Sequence, residues 1–289
     1  MPYLMVSLVG EQPVPNLLPP RYEKVDKVLF VYTDRTKSVY QRVKPLLECE
    51  TDGCEVPPYE MQTIRDTLCQ RIVASGIDRH HVVFNLTGGT KPMAFAAYGL
   101  ATQFGSPFVY LQSEGGRSVL FRFSFAGGNE VSVQKVELPA LITIDDYLRV
   151  HLGRYIEAGA KGRFEALVGE ALEPAVDELK SGVDYEGRLE IDLVLRCGNQ
   201  VGIAEVKGGR RADKSGIDQL VAAADPRFLG TYVHRFWIVA ASPSRGNLEL
   251  ARAHHIDVIQ IPSGLGSFLS DEDRQTLIGT VRRHLVGTA

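Results

Sequence analysis

Cysteine is scarce. Cys49, Cys54, Cys69 and Cys197 are the four in 289 residues; they form no CxxC pair, and none sits at zinc-ligand spacing from a histidine. A disulfide scaffold and a zinc ribbon are excluded, and the thiols are expected to be reduced, in a cytoplasmic protein. Charge of one sign is also missing. A net charge of −3 gives no whole-chain attraction to nucleic acid, so such a partner has to be met by a local patch. No apolar run approaches the roughly 20 residues that span a bilayer. The opening MPYLMVSLVGEQP has no basic stretch ahead of its apolar run and does not read as a signal peptide. There is no internal repeat and no low-complexity tract. The apolar fraction of 44% and charged fraction of 23% are those of an ordinary folded protein, and the length favours two domains.

What is there begins with short runs rich in β-branched and aromatic residues. YLMVSLV (3–9), KVLFVYT (27–33), HVVFNLT (81–87) and PFVYLQ (107–112) are predicted as buried strands. Between them lie SVYQRVKPLLE, the amphipathic MQTIRDTLCQRIVAS with Ile64, Leu68, Ile72 and Val73 on one side, and the helix KPMAFAAYGLATQF (91–104). Strands separated by helices imply a parallel sheet, a Rossmann-like unit. SVLFRFSF and EVSVQKVEL, joined by AGGN, read as an antiparallel hairpin. A boundary is expected near 140–160, where Thr143 and Asp146 make a capping box for TIDDYLRVHL, giving domains over 1–145 and 155–289. Beyond it, RFEALVGEALEPAVDELK reads as a helix and residues around 183–187 as extended. A hairpin, a helix at SGIDQLVAAAD and a strand at HRFWIVAAS follow, an αβββαβ order, and then further helix and strand.

The hairpin carries the chemistry. In LEIDLVLRCGNQVGIAEVK (189–207) the dipeptide Gly198-Asn199 between two β-rich runs marks a two-residue turn. Counting outward from it sets Asp192 opposite Glu205 and Glu190 opposite Lys207, while Ile191, Leu193, Leu195, Ala204 and Val206 form the core face. Like charges directly opposed on a sheet destabilise it unless something positive lies between them. A divalent cation held by oxygen ligands answers that need, and Lys207 beside it could steady negative charge on a phosphate. Asp192, the triplet Glu205-Val206-Lys207 and an acid on the preceding helix resemble the PD-(D/E)XK nuclease superfamily. The resemblance implies Mn2+ or Mg2+ on Asp192 and Glu205, Lys207 as the catalytic lysine and Glu165 as a further catalytic and metal-binding acid. The residue before the aspartate is Ile191 where the family's name has proline. Gln219 falls where some relatives carry a substrate-side glutamine, and the basic segment KGGRRADK (207–214) suits a nucleic-acid backbone.

The first half has its own candidate. Thr87-Gly88-Gly89-Thr90-Lys91 lies between a strand and a helix, where backbone amides, the helix N-terminus and the Lys91 charge favour an anion. It is neither a P-loop nor a GxGxxG fingerprint. GEQPVPN (10–16) and TDRTKS (33–38) follow the first two strands, so three polar loops are expected at the C-terminal edge of the sheet, where open α/β sheets bind ligands. SLVGEQPVPNLLP with NLTGGTKPM is similar to the CARF domains of type III CRISPR effectors in which a sensor is fused to a restriction-endonuclease-like domain. That resemblance implies a homodimer binding a cyclic oligoadenylate, expected to be the tetra-adenylate. Its ligand-binding positions here are Gly10, Glu11, Gln12, Asn16, Thr33, Asp34, Thr87, Gly88, Gly89, Thr90 and Lys91. Together the two resemblances imply an N-terminal Rossmann-like CARF sensor and a C-terminal restriction-endonuclease-like domain of αβββαβ order. The implied activity is ligand-activated, metal-dependent cleavage of DNA, with RNA as a further substrate, in antiviral defence. A catalytically silent nuclease fold with a regulatory role, and a sensor that degrades its own ligand, are the alternatives.

Overall fold

The computed structural model describes residues 2–125, 130–209 and 212–286. The AGGN turn and Arg210-Arg211 of the basic segment lie outside the described residues. The chain divides into two compact units, one of residues 1–114 and 118–141, the other of 142–289 with the turn 115–117. The break falls ahead of the expected 145, so the capped helix that begins at Ile144 belongs whole to the second unit.

In the first unit, β1 (Leu4–Leu8), α1 (Leu18–Glu23), β2 (Lys27–Tyr32), α2 (Lys37–Val43), β3 (Glu50–Glu55), α3 (Met61–Ala74), β4 (Val82–Asn85), α4 (Lys91–Phe104), β5 (Phe108–Glu114), β6 (Arg117–Phe125) and β7 (Val131–Glu137) follow in order. They build one sheet in the order β3-β2-β1-β4-β5-β6-β7. The pairs from β3 through β5 are parallel, and β6 with β7 is antiparallel. The reversal of winding between β1 and β4 puts the crevice of a doubly wound sheet there. α4 occupies the predicted span because its ends are marked: Thr90 caps it, Pro92 fits its first turn, and Gly105 closes it at φ 65°. Ile64, Leu68 and Ile72 of α3 pack into the core, whereas Val73 is 72% exposed. The expected inward Val73 is corrected by geometry, since one helical step turns a side chain about 100° away.

β3 escapes the strand pattern. ETDGCE is polar, and of its residues only Cys54 is buried, which an edge strand tolerates. Gly53 is needed there because a Cβ would fall 2.6 Å from the ring of Tyr40.

The second unit runs α5 (Ile144–Leu152), β8 (Ile156–Glu157), α6 (Arg163–Leu172), β9 (Glu178–Tyr185), β10 (Leu189–Cys197), β11 (Gln200–Lys207), α7 (Ser215–Ala223), β12 (His234–Val239), α8 (Arg245–Ala253), β13 (Asp257–Gln260) and α9 (Asp271–Leu285). Its sheet order is β13-β12-β11-β10-β9-β8, with β11 to β13 parallel and β8 to β11 antiparallel. The predicted helix over 163–180 ends at Leu172. Pro174 sits in a 3-10 turn after it, and the rest of that segment becomes β9. The αβββαβ order holds as α6-β9-β10-β11-α7-β12. Leu193, Leu195, Cys197, Ala204 and Val206 pack with Phe164, Val168 and Leu172 of α6 and with Leu277, Val281 and Leu285 of α9. Trp237 is fully buried.

Candidate functional site

The hairpin register is the expected one. Five pairs run from Cys197–Gln200 at the Gly198-Asn199 turn to Leu193–Ala204. There the backbone ladder stops, and the Val206 N–H donates instead to Asp192 Oδ2 at 2.7 Å. Asp192 is thus drawn against the strand that carries Glu205. α7 closes over Glu205 because it crosses at a glycine: a Cβ on Gly216 would lie 3.2 Å from Glu205 Cγ and 2.5 Å from Trp237 Nε1. Glu205 is left 2% exposed. Burial first, and the Asp192 charge second, push its carboxyl up to about 7. Burial likewise raises Asp192, against the Val206 N–H and the Lys207 charge.

Lys207 Nζ stands 2.5 Å from Glu205 Oε1. Burial alone would lower the ammonium, but its close contact with Glu205 and the Glu205 and Asp192 charges raise it, so the lysine stays charged. The expected facing of Glu190 and Lys207 is replaced: Glu190 pairs with Lys161. Glu165 is buried on α6, its Oε2 accepting the Lys161 N–H at 3.0 Å and its Oε1 without a hydrogen bond. Burial, then the Asp192 charge, raises it against that N–H. Gln219 is exposed on α7.

These donors bear on whether a metal fits. Among the described residues no group of three or more His, Cys, Asp or Glu side chains is arranged to hold one. The expected three-acid set of Asp192, Glu205 and Glu165 is therefore not drawn together, although Glu165 gives the Lys161 amide only its Oε2 and leaves Oε1 without a hydrogen bond. The two-acid set fits a hard cation: both carboxyls are raised by burial, and Glu205 Oε1 has a charge contact but no aligned hydrogen bond. One consequence is measurable without any metal. Between the ordinary glutamate range and about pH 7 the folded protein holds a proton on Glu205 that the unfolded chain releases. That stabilisation is present at low pH and disappears as pH rises to 7. The thermal midpoint of metal-free protein is expected to fall over pH 5–7 by the equivalent of about 1–3 kcal/mol, and that of Glu205→Gln to stay flatter. Equal slopes would refute the assignment.

In the first unit the three loops do meet at one edge, since β2, β1 and β4 are adjacent parallel strands. The first and third loops touch backbone to backbone. A Cβ on Gly88 would lie 2.3 Å from the Leu8 carbonyl oxygen and 2.7 Å from the Gly10 nitrogen. Gly89 has φ 76°. Glu11 pairs with Arg35, joining the first loop to the second.

The predicted binding residues separate into two groups. Gln12 is half-buried, and Glu11, Asp34, Gly89 and Lys91 are exposed. Asn16 is fully buried, its Oδ1 accepting from Ser7 Oγ at 2.9 Å. Thr33 is buried against Thr36. Thr87 Oγ1 donates to Asn85 Oδ1 at 2.7 Å and accepts from the Leu111 N–H at 2.9 Å. Thr90 Oγ1 donates to the Pro58 carbonyl at 2.6 Å. These four hold the loops in place. Their hub escaped the sequence reading: Asn85, fully buried, donates to Ser7 Oγ and to the Pro15 carbonyl and accepts from Thr87. Its signal was present in VVFN, a polar residue ending an apolar strand.

Residues 4–147 match the family model of the Card1 CARF domain. None of the curated proteins matches the chain. Can2 from Sulfobacillus thermosulfidooxidans, solved in complex with cyclic tetra-adenylate, is similar over 98% of this chain and 99% of its own, at TM-score 0.75 and 15% identity. Protein VC1899 from Vibrio cholerae is similar over 96% and 97%, at 0.74 and 14%. A type III CRISPR defence DNA nuclease activated by cyclic oligoadenylate covers 96% of this chain with 52% of its own, at 0.64 and 17%. Identities this low speak for the fold, and the family match speaks for the first half. The segment 4–147 is a CARF domain of the Card1 family, in a chain whose two-sheet fold is that of Can2 and VC1899.

Proposed function

We propose that this chain is a nuclease switched on by a cyclic oligoadenylate, cyclic tetra-adenylate being the expected ring, and that it cuts DNA, with RNA as a further substrate, in type III CRISPR antiviral defence. The observation that carries the reading is the buried Glu205 against the half-buried Asp192, with Lys207 charged beside them. Asp192 and Glu205 would hold Mn2+ or Mg2+, which when bound supplies Lewis acidity and neutralises charge. Lys207 offers its ammonium to the negative charge that builds on a phosphodiester under attack. Glu205 and Asp192, once ionised, fix that ammonium in place.

On the sensor, the N-terminus of α4, the Gly89 amide and Lys91 favour phosphate, and Gln12 and Asp34 are free to meet polar edges of a base. A ring of repeated units suits two identical half-sites, hence a homodimer. Phe95 and Tyr98, 60% and 42% exposed on α4, are the apolar surface offered for it. Ring binding activates only by preferring the competent arrangement of the nuclease units.

The test incubates the full chain with single-stranded DNA, duplex DNA and RNA in Mn2+, with and without cyclic tetra-adenylate. Cleavage is expected only with both added. Equal cleavage without the ring would remove the sensor from the account. No cleavage of any substrate would favour the silent-fold alternative.

A further inference from the structure

The segment between β13 and α9 carries two apolar side chains that the proposed chemistry leaves unused. Leu265 is 56% exposed and Phe268 71%. Single exposed apolar residues are commonplace, but this pair stands on a loop held rigid from below. Ser263 gives its N–H and its Oγ to Asp273 Oδ2, at 2.8 and 2.5 Å. Its Oγ accepts the Ser270 N–H at 2.9 Å, and its carbonyl accepts the Gly266 N–H at 2.9 Å.

The loop is also placed. A Cβ on Gly264 would fall 2.0 Å from the ring of Phe164, and one on Gly208 would fall 2.9 Å from Phe164 Cβ. A single phenylalanine therefore spans from this loop to the residue after Lys207, and Glu165 follows that phenylalanine in the chain. Parallel strands β11 and β13 end on the same side, which puts the loop at the edge where Lys207 lies. Arg163, exposed, donates through Nη2 to the Ser267 carbonyl at 2.9 Å. An exposed aromatic one residue beyond the carbonyl that a guanidinium bonds, at the sheet edge that carries a phosphate-directed lysine, offers the means to grip a nucleic-acid strand by base and backbone together.

We propose that Phe268 stacks on an unpaired base flanking the phosphodiester that is cut, and so sets which strands the nuclease accepts. This rests on the nuclease reading above. The occupant is a nucleic-acid strand, since Arg163 and Lys207 supply the charge that complements its phosphates.

The experiment uses the full chain with cyclic tetra-adenylate and Mn2+. Binding of fluorescent single strands is measured on a Glu205→Gln background, with an abasic position walked along the strand, and cutting is measured on the otherwise unaltered protein. Phe268→Ala is expected to weaken binding by about tenfold, the scale of one stacked base. One abasic position should weaken the parent by a similar factor and leave Phe268→Ala unaffected, and Phe268→Trp should restore the preference. Ring affinity should not move. Unchanged binding and cutting in Phe268→Ala would overturn the assignment. So would an altered oligomer size with unaltered strand binding, which would make this loop a contact between copies. If the parent cuts nucleic acid and Phe268→Ala matches it, only this assignment falls. If the parent neither binds nor cuts, the nuclease reading falls with it.

Discussion

Glu205→Ala is expected to reduce nucleic-acid cleavage by at least about a thousandfold, the upper range for losing one group that stabilises transition-state charge, while binding of the cyclic oligoadenylate stays as it was. Three effects converge on that one carboxylate. It is one of the two oxygen donors proposed for the cation, it anchors the Lys207 ammonium at 2.5 Å, and it fills the space under Gly216. Its removal leaves Asp192 alone beside a partly buried lysine. Two readouts separate loss of chemistry from loss of fold. Ring binding by titration should be retained, and the rise in thermal midpoint that Mn2+ gives the parent at pH 8 should vanish. Lys207→Ala, by contrast, should lose cleavage and keep the Mn2+ shift. A Glu205→Ala protein that cuts like its parent would remove the hairpin from the mechanism altogether.

Gly88→Ala should abolish ring binding and destabilise the first unit by about 2–3 kcal/mol, the usual scale of an overpacked site. The added methyl would meet the Leu8 carbonyl oxygen at 2.3 Å and the Gly10 nitrogen at 2.7 Å. Both are backbone atoms, so no side chain can swing aside to make room. The first and third loops must then separate, breaking the edge where the ring is proposed to sit. Gly99→Ala on α4 is the control, because a Cβ there meets nothing within 4 Å. Titration with cyclic tetra-adenylate checks the first part and thermal unfolding the second. Wild-type affinity in Gly88→Ala would show that the loops do not bind the ring as a unit.

The close approach at Gly88 is the kind of feature a sequence does not display. Glycine after a strand implies room for a phosphate, and Gly88 also serves the approach of one loop to another. Neighbours in space, unlike neighbours in sequence, leave no periodic trace. The same limit explains Asn16, which reads as a binding residue in a polar loop yet is fully buried on Ser7, and Glu165, one of whose carboxylate oxygens accepts the Lys161 N–H. Local signals did carry through. The caps of α4 and the turn at Gly198-Asn199 each specify geometry within a few bonds, and the ends of α4 and the pairing of β10 with β11 follow from them. β3 was illegible because edge strands are freed from the apolar pattern that betrays buried ones.

The Gly198-Asn199 turn has a longer reach than its two residues imply. Pairing is counted from it, so Leu193 to Cys197 act as a spacer whose length, more than its identity, aims Asp192. Loss of one residue anywhere in that spacer would swing Asp192 to the side packed by α6 and α9. Heredity must therefore preserve a number as well as two acids, over a stretch about 17 Å long that never meets the substrate.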